Sequence, residues 1–219
     1  MSKTYQRYAV YFEPPPGSPL ARFGQEWFGM DAAAGWTGKA PTPYVETPRK
    51  YGFHATLKAP MRLREDCIFT DFNNSVQALS EKLKPVPLGI LKPRRIGRFL
   101  ALTVEPELHD DISKTAWSCV RELDRFRAPL TQVERDKRGM LAPELMQNME
   151  AWGYPYVGDA FRFHMTLTSQ LADSQLEDAL GAITGLLPCE PVMLDAISVY
   201  ADPGGVRPFE RVERHVLKA

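Results

Sequence analysis

The sequence is short of several features that would classify a protein at once. Its three cysteines, Cys67, Cys119 and Cys189, are odd in number, lie far apart and form no CxxC pair, so reduced thiols are expected. No apolar run reaches 18 residues, and residues 1–7 lead into a strand-like segment without the apolar stretch of a signal peptide. We therefore expect a soluble, cytoplasmic protein with no membrane partner.

An excess of either charge is also missing. The 27 basic and 27 acidic residues give a formal net charge of zero. Proteins that hold extended nucleic acid usually carry a basic excess, because neutralising phosphates supplies much of the affinity. A partner of that kind is not expected, and a phosphate-bearing ligand would be small. The sequence has no glycine-rich phosphate loop and no GxSxG motif, and it leaves the oligomeric state open.

Histidine is scarce, which makes its placement informative. Two of the four histidines lie in the same five-residue frame, Phe-His-x-Thr-Leu, at residues 53–57 and 163–167. Ordinary residue frequencies would match some pair of histidines in this way with a probability of roughly 10⁻³. The other two, His109 at the start of a predicted helix and His215 near the C-terminus, have no such frame, and His109 is expected to be exposed.

Each frame reads as a strand, and strand side chains alternate between two faces. One face carries Gly52, His54, Thr56 and Lys58 in the first frame and Arg162, His164, Thr166 and Thr168 in the second, so it is polar in both. The opposite face is apolar, with Tyr51, Phe53, Ala55 and Leu57 in the first and Phe161, Phe163, Met165 and Leu167 in the second. The apolar faces are expected to pack on helices, and the polar faces to line a groove.

Two imidazoles and two hydroxyls around one anion suit phosphodiester cleavage. A neutral histidine can take a proton from the attacking water or hydroxyl while a protonated one gives a proton to the leaving alkoxide. The threonine hydroxyls can donate to the phosphate oxygens, and Lys58 could add a fixed positive charge. A solvated polar surface is the competing interpretation, and a zinc site would need further ligands that neither frame contains.

The elements predicted from the pattern occur in a repeated order, strand–helix–loop–histidine strand–helix–strand. Strands are predicted at 5–13, 51–60, 88–94, 98–105, 160–169, 192–200 and 208–217, and helices at 18–29, 69–84, 108–127, 141–151 and 174–187. This order predicts one bilobal α+β domain over residues 1–219, arising by internal duplication. Lobe 1 would span about residues 5–95 plus the C-terminal strand, and lobe 2 about residues 98–206.

The paired His-x-Thr motifs, about one lobe apart, resemble those of the 2H phosphoesterases. The segment Tyr51-Gly-Phe-His-Ala-Thr-Leu-Lys-Ala-Pro60 is similar to a bacterial branch, DUF1045, whose members occur with phosphonate-utilisation genes. The resemblance covers nearly the whole chain. It implies two antiparallel sheets facing a central groove with helices outside, and action on a cyclic phosphate or 2′,3′-type phosphodiester without metal or cofactor.

The resemblance also assigns residues. It implies a catalytic set of His54, Thr56, His164 and Thr166. The family motif often continues with an aromatic or basic residue after the threonine, which Lys58 matches and Thr168 does not. The candidate substrate-binding set is Lys58, Thr168, Tyr51 and Tyr156, the last from a loop whose tyrosines could stack on a base or ribose. Two other functions stay open: RNA end-processing or 2′-5′ ligation, and non-catalytic binding of a phosphate ligand.

Overall fold

A computed structural model describes residues 5–31, 35–36, 43–137, 139–205 and 207–218, which form an α+β fold. The strands are β1 (Arg7–Phe12), β2 (Met30–Asp31), β3 (Gly35–Trp36), β4 (Ala55–Met61), β5 (Val86–Gly89), β6 (Lys92–Ile96), β7 (Phe99–Thr103), β8 (Met165–Thr166), β9 (Val192–Leu194), β10 (Ala196–Asp202) and β11 (Glu210–Val216). The α-helices are α1 (Pro19–Phe28), α2 (Phe69–Ser80), α3 (His109–Leu123), α4 (Gln132–Asp136), α5 (Pro143–Trp152) and α6 (Asp173–Leu186). Within these ranges no helix is both long and apolar enough to cross a bilayer.

Seven strands form one antiparallel sheet in the order β11-β10-β1-β4-β8-β7-β6. The two histidine frames meet near its centre, where Ala55 of β4 pairs with Met165 of β8. The expectation of two separate sheets facing each other is therefore wrong. Pairing β4 with β8 gives hydrogen-bond partners to two strand edges that would otherwise be left open.

The strand order is similar on the two sides of the β4–β8 pair, except that β11 has no counterpart beyond β6. β1 and then β10 follow β4 on one side, and β7 and then β6 follow β8 on the other, while β5 pairs with β9. A duplicated chain would give this arrangement. The duplication and the division into two lobes stay predictions.

The main core lies where helices α1, α2, α3 and α6 pack on the sheet. Helix α1 begins as predicted, with the Ser18 hydroxyl accepting a hydrogen bond from the Ala21 amide at 3.1 Å. The indole nitrogen of Trp27, at the other end of α1, donates to the Leu167 carbonyl at 2.8 Å. This bond attaches α1 to the second histidine frame, whose apolar residues Phe163, Met165 and Leu167 are buried as expected.

Both frames contain less strand than the alternating pattern predicts. Residues Pro48–Tyr51 form a 3₁₀ helix, and Gly52, at a φ of +77°, turns the chain before β4 begins. Tyr51 therefore does not share a face with Phe53; it packs on Phe209, with ring centroids 5.1 Å apart, in a second apolar cluster. In the second frame only Met165–Thr166 is strand, because the segment before it includes a 3₁₀ turn at Gly158–Ala160.

Candidate functional site

The register of the sheet brings the four predicted catalytic side chains together. Since Ala55 and Met165 are partners in an antiparallel pair, the residues that flank them face each other crosswise as two His–Thr pairs: His54 with Thr166, and His164 with Thr56. Residues directly opposite have Cβ atoms about 5 Å apart, and diagonal neighbours lie about 7–8 Å apart. The two histidines therefore lie on a diagonal, each beside the threonine of the other frame.

His54 is held by its own frame and by β1. Its Nδ1 lies 3.0 Å from the Gly52 carbonyl oxygen, which can only accept, so Nδ1 carries the proton and Nε2 keeps a lone pair. The Thr56 hydroxyl, 3.3 Å from Nε2, can donate to that lone pair. The ring of Tyr11 stacks on the imidazole with centroids 3.7 Å apart and an interplanar angle of 21°. This packing fixes the plane of the ring.

The surroundings of His54 favour its neutral form. The pKa of His54 is lowered from 6.5 to about 4, mainly by burial; the Gly52 carbonyl opposes this shift, and the charge of His164 acts in the same direction as burial. His54 is therefore a neutral imidazole at pH 7. With its lone pair on Nε2, it is a proton acceptor.

His164 repeats the backbone contact of His54 in a more open setting. Its Nδ1 donates to the Arg162 carbonyl at 2.8 Å, two residues back along the chain, as His54 does to Gly52. The ring is half-buried, and Phe99 lies 6.2 Å away between ring centroids. The same tautomer and ring orientation thus arise in both frames from local backbone geometry.

Two cavities adjoin this arrangement. One of about 860 Å³ contains Thr56 and His164 and extends along α3 and the segment 154–163, where its lining is mainly apolar and includes Trp117 and Tyr156. The other, of about 270 Å³, is lined by the second His–Thr pair and its neighbours: Tyr51, His54, Thr166 and Thr168. Phe99 borders both cavities. Seven of the eight predicted site residues therefore line one or the other of two cavities that share Phe99, and their roles stay predictions.

Lys58 is the eighth, and the structure places it elsewhere. Its ammonium is buried, donates to the Val120 carbonyl at 3.1 Å and pairs with Asp124 at 3.2 Å. Burial lowers the pKa of the Lys58 ammonium, and the Asp124 carboxylate opposes this shift. The positive charge is thus used to attach β4 to the end of α3.

A β-bulge explains why the face of Lys58 differs from the prediction. Thr56 pairs with Tyr11 of β1, but Lys58 pairs with Val10, so Leu57 is an extra residue in β4. One extra residue reverses the face of every side chain that follows it. Lys58 therefore shares a face with the core residue Val10, and the expectation that it shares a face with His54 and Thr56 is wrong.

Thr168 lies by the smaller cavity and also holds the sheet together. Its buried hydroxyl accepts a hydrogen bond from the Leu100 amide at 3.0 Å. The neighbouring Leu167 amide donates to the Leu100 carbonyl at 2.8 Å. These bonds continue the β7–β8 pairing past the end of β8.

Sequence reasoning gave no role to two polar side chains of the larger cavity, His109 and Arg162, although it placed Arg162 on the polar face of the second frame. His109 was expected to be exposed but is half-buried; its Nδ1 lies 3.0 Å from the Ser113 hydroxyl, and the Phe163 amide donates to Nε2 at 3.4 Å. Burial and then the charge of Arg162 lower the pKa of His109. Arg162 had a sequence signal, since it stands two residues before His164 and therefore on the same side of an extended chain.

Comparisons with known proteins give one family and several relatives. A family model described as "Protein of unknown function (DUF1045)" matches residues 56–210. Two curated relatives, from Janthinobacterium sp. (strain Marseille) and Laribacter hongkongensis (strain HLHK9), are 33% and 31% identical over 97% and 90% of this chain, and both are named "Ribose 1,5-bisphosphate phosphokinase PhnN". The matches cover 51% and 48% of those proteins, so the chain spans about half of their length.

One solved structure is also similar to the chain. Its title is "Crystal structure of phosphoesterase", and it matches 99% of this chain and 100% of its own length with 13% identity and a TM-score of 0.47. The family model covers well over half of the 219 residues, including Thr56 and the whole second histidine frame. The chain therefore belongs to the DUF1045 family.

Proposed function

We propose that the protein is a metal-independent phosphoesterase that opens a small cyclic phosphate or 2′,3′-type phosphodiester. The observation that carries the proposal is the crosswise placement of two His–Thr pairs at the β4–β8 junction. Both imidazoles are tied through Nδ1 to a backbone carbonyl, which leaves both Nε2 atoms for proton transfer. An acid and a base on one diagonal can reach the same phosphate group.

The two environments divide the roles between the histidines. His54 is the general base, because its neutral imidazole has the lone pair on Nε2. Water attacks phosphorus, and His54 takes the proton that the water loses. The bond from phosphorus to the leaving alkoxide breaks, and that oxygen receives a proton from Nε2 of protonated His164. His164 is the acid because it lines the larger cavity, where a leaving alkoxide has room.

The two threonines act on the non-bridging phosphate oxygens. Negative charge shifts on these oxygens as phosphorus becomes five-coordinate, and hydroxyl donors already in place stabilise that state. Thr56 and Thr166 each lie beside the histidine of the other frame. When a substrate oxygen approaches, the Thr56 hydroxyl exchanges its contact with His54 for one to phosphate.

Sugar phosphates are candidate substrates because the two curated relatives are named for ribose 1,5-bisphosphate. Hydrolysis of the bond between phosphorus and O2 in ribose 5-phosphate 1,2-cyclic phosphate leaves one phosphate on O1 and the other on O5. The product is ribose 1,5-bisphosphate, the compound in this name. The cavity of about 860 Å³ lies within the usual range for small-molecule sites, about 300–1,000 Å³, and also has room for a nucleoside. Nucleotide cyclic phosphates therefore belong in the same test.

The test is hydrolysis in EDTA of ribose 1,2-cyclic phosphate, ribose 5-phosphate 1,2-cyclic phosphate and the four nucleoside 2′,3′-cyclic phosphates. We expect turnover of at least one of them, monitored by ³¹P NMR, and its loss in His54→Ala and His164→Ala. Tight binding without product over hours would instead identify a phosphate-binding protein. Selective, salt-sensitive binding of RNA with a terminal cyclic phosphate would favour RNA end-processing. Turnover that survives both substitutions would contradict the proposal.

A further inference from the structure

The proposed reaction needs a fixed positive charge near the phosphate, and Lys58 does not supply it. A phosphodiester is an anion, and in the proposed reaction the charge of protonated His164 leaves with the proton that it donates, so a positive charge that stays in place is still needed. The ammonium of Lys58 is inside the protein, where it is paired with Asp124. The cation therefore has to come from another residue of the cavity that contains His164.

Arg162 has the position that this role requires. It is an exposed residue that lines the larger cavity together with Thr56 and His164. Its backbone carbonyl holds Nδ1 of His164 at 2.8 Å, so the arginine and the imidazole are parts of one local unit. The matching residue of the first frame is Gly52, which also binds its histidine through the carbonyl but has no side chain. The positive charge is therefore on the His164 side.

The Arg162 guanidinium is oriented but not neutralised. Nη1 donates to the backbone carbonyls of Asp159 at 2.8 Å and Phe161 at 2.6 Å. Among the described residues no carboxylate is paired with this guanidinium, and its remaining N–H groups stay available to an anion. Two carbonyl contacts hold the planar group in place, so less rotational freedom is lost when an anion binds.

Other cations near the cavity already have carboxylate partners. Arg94, which also lines it, is paired with Glu105 at 2.6 Å, and Lys92 on the same strand contacts the same carboxylate at 2.6 Å. Arg95, farther along β6, is paired with Asp173 at 2.8 Å. An anion that approached Arg94 would compete with Glu105. Arg162 has no such competitor, although Asp110 lies on the cavity wall and weakens the positive field there.

The charge of Arg162 acts within the cavity. It lowers the pKa of His109, a half-buried residue of the same wall, in the same direction as burial does. Asp110 acts on His109 in the opposite sense. A group that makes protonation of a neighbour less favourable also makes the approach of an anion more favourable.

We propose that Arg162 binds the phosphate group of the substrate beside His164 and supplies the fixed positive charge of the site. This inference rests on the proposed function for its catalytic meaning, but the binding of an anion can be measured without turnover. Two donors from one guanidinium match two oxygens of a phosphate, which a lysine ammonium cannot do in the same fixed geometry. Arg162 is thus expected to contribute to affinity and to orientation.

The binding experiment is a titration with inorganic phosphate, followed by the ¹⁵N-imidazole signals of His164. The variants are Arg162→Gln and Arg162→Lys, with Arg95→Gln as a control of equal charge change outside the cavity. We expect the dissociation constant to rise about tenfold to a hundredfold in Arg162→Gln, to recover in part in Arg162→Lys, and to change less than twofold in Arg95→Gln. Equal affinity in Arg162→Gln and wild type, or no effect of phosphate on His164 in the wild type, would overturn the inference.

The kinetic experiment uses whichever cyclic phosphate the protein hydrolyses. We expect Arg162→Gln to raise KM by a similar factor and to reduce the dependence of KM on salt, while Arg162→Lys keeps that dependence. A loss confined to substrates with a second phosphate would overturn the inference, because Arg162 would then bind that other group. If no substrate is hydrolysed but phosphate binding depends on Arg162, the proposed reaction fails and the anion site stands.

Discussion

The two histidine frames share a sequence and a backbone contact but not an environment. In both frames the imidazole is fixed by the carbonyl two residues earlier, at 3.0 Å for His54 and 2.8 Å for His164. Both residues are half-buried, but His54 is stacked on Tyr11, whereas His164 lines a cavity of about 860 Å³. Equal motifs thus lie in unequal surroundings, and at His54 burial favours the neutral imidazole.

The flanking residues extend the contrast. Gly52 turns the chain and has no side chain, whereas Arg162 brings a guanidinium to the cavity. Lys58 attaches β4 to α3, and Thr168 extends the β7–β8 pairing. The frames therefore contribute the same histidine and threonine side chains, but the residues that flank them make different contacts. The following substitutions test this difference, from the largest expected effect to the smallest.

Removing either imidazole should have the largest effect. We expect His54→Ala and His164→Ala each to lower kcat/KM by about 10²–10⁴, the usual contribution of a positioned acid or base. His215→Ala is the control, since His215 contacts Asn73 at 2.9 Å outside both frames, and activity should stay within twofold. Steady-state kinetics on the best substrate of the panel measure these effects. An equal loss in all three variants, with lowered thermal stability, would indicate unfolding instead of catalysis.

The threonine hydroxyls should matter less than the imidazoles. We expect Thr56→Val and Thr166→Val each to lower kcat by about tenfold to a hundredfold, because each removes one donor to the phosphate oxygens. Thr184→Val is a suitable control, because Thr184 lies on α6 away from both cavities and its hydroxyl donates to the Leu180 carbonyl at 2.7 Å. Rescue by serine at positions 56 and 166 would support the hydroxyl role. Normal kcat in both valine variants would remove the threonines from the proposed mechanism.

The stacking of Tyr11 on His54 predicts a shift in the pH profile. A base works when neutral, so kcat/KM should fall as pH decreases through the pKa of His54, about 4 in the native protein. Tyr11→Leu exposes the imidazole and should move this acidic limb upward, towards the ordinary value of 6.5. At pH 5 the variant should lose about tenfold relative to wild type, and at pH 8 much less, since one pKa unit is one tenfold step.

Tyr8→Phe is the control for that profile, because Tyr8 lies on β1 but stacks on Phe69 of α2. Its acidic limb should coincide with that of the native protein. An acidic limb of the native protein near pH 6.5 that Tyr11→Leu does not move would assign the base elsewhere.

Replacing Lys58 should have the smallest effect on activity. We expect Lys58→Met to keep kcat/KM within threefold, because the ammonium is bonded to Val120 and Asp124 and not directed at substrate. Asp124 keeps its bond to Arg127 at 2.8 Å, so the free energy of unfolding should change by less than about 2 kcal/mol. Denaturant unfolding and kinetics measure the two quantities. A large rise in KM at unchanged stability would show that Lys58 does contact the substrate.

Local patterns predicted most elements because their causes are local. Ser18 followed by Pro19 starts α1 at the predicted residue, and the apolar spacing over 108–127 predicts α3, which runs from His109 to Leu123 before a 3₁₀ turn. The predicted ends of strands were wrong where pairing with a strand distant in the sequence determines them. The second frame predicts a strand over 160–169, but only Met165 and Thr166 pair as one.

The sequence by itself determined that two His-x-Thr frames exist, that most of their apolar residues are buried and that the helices pack on the sheet. Tertiary structure decided that β4 and β8 are neighbours, which turns two motifs into one site. It also decided that a bulge against β1 directs Lys58 into the core while Arg162 and His109 reach the cavity. Side-chain alternation is a property of a few adjacent residues, so the local sequence predicts it. Strand register and burial depend on strands far apart in the chain, so the local pattern does not predict them.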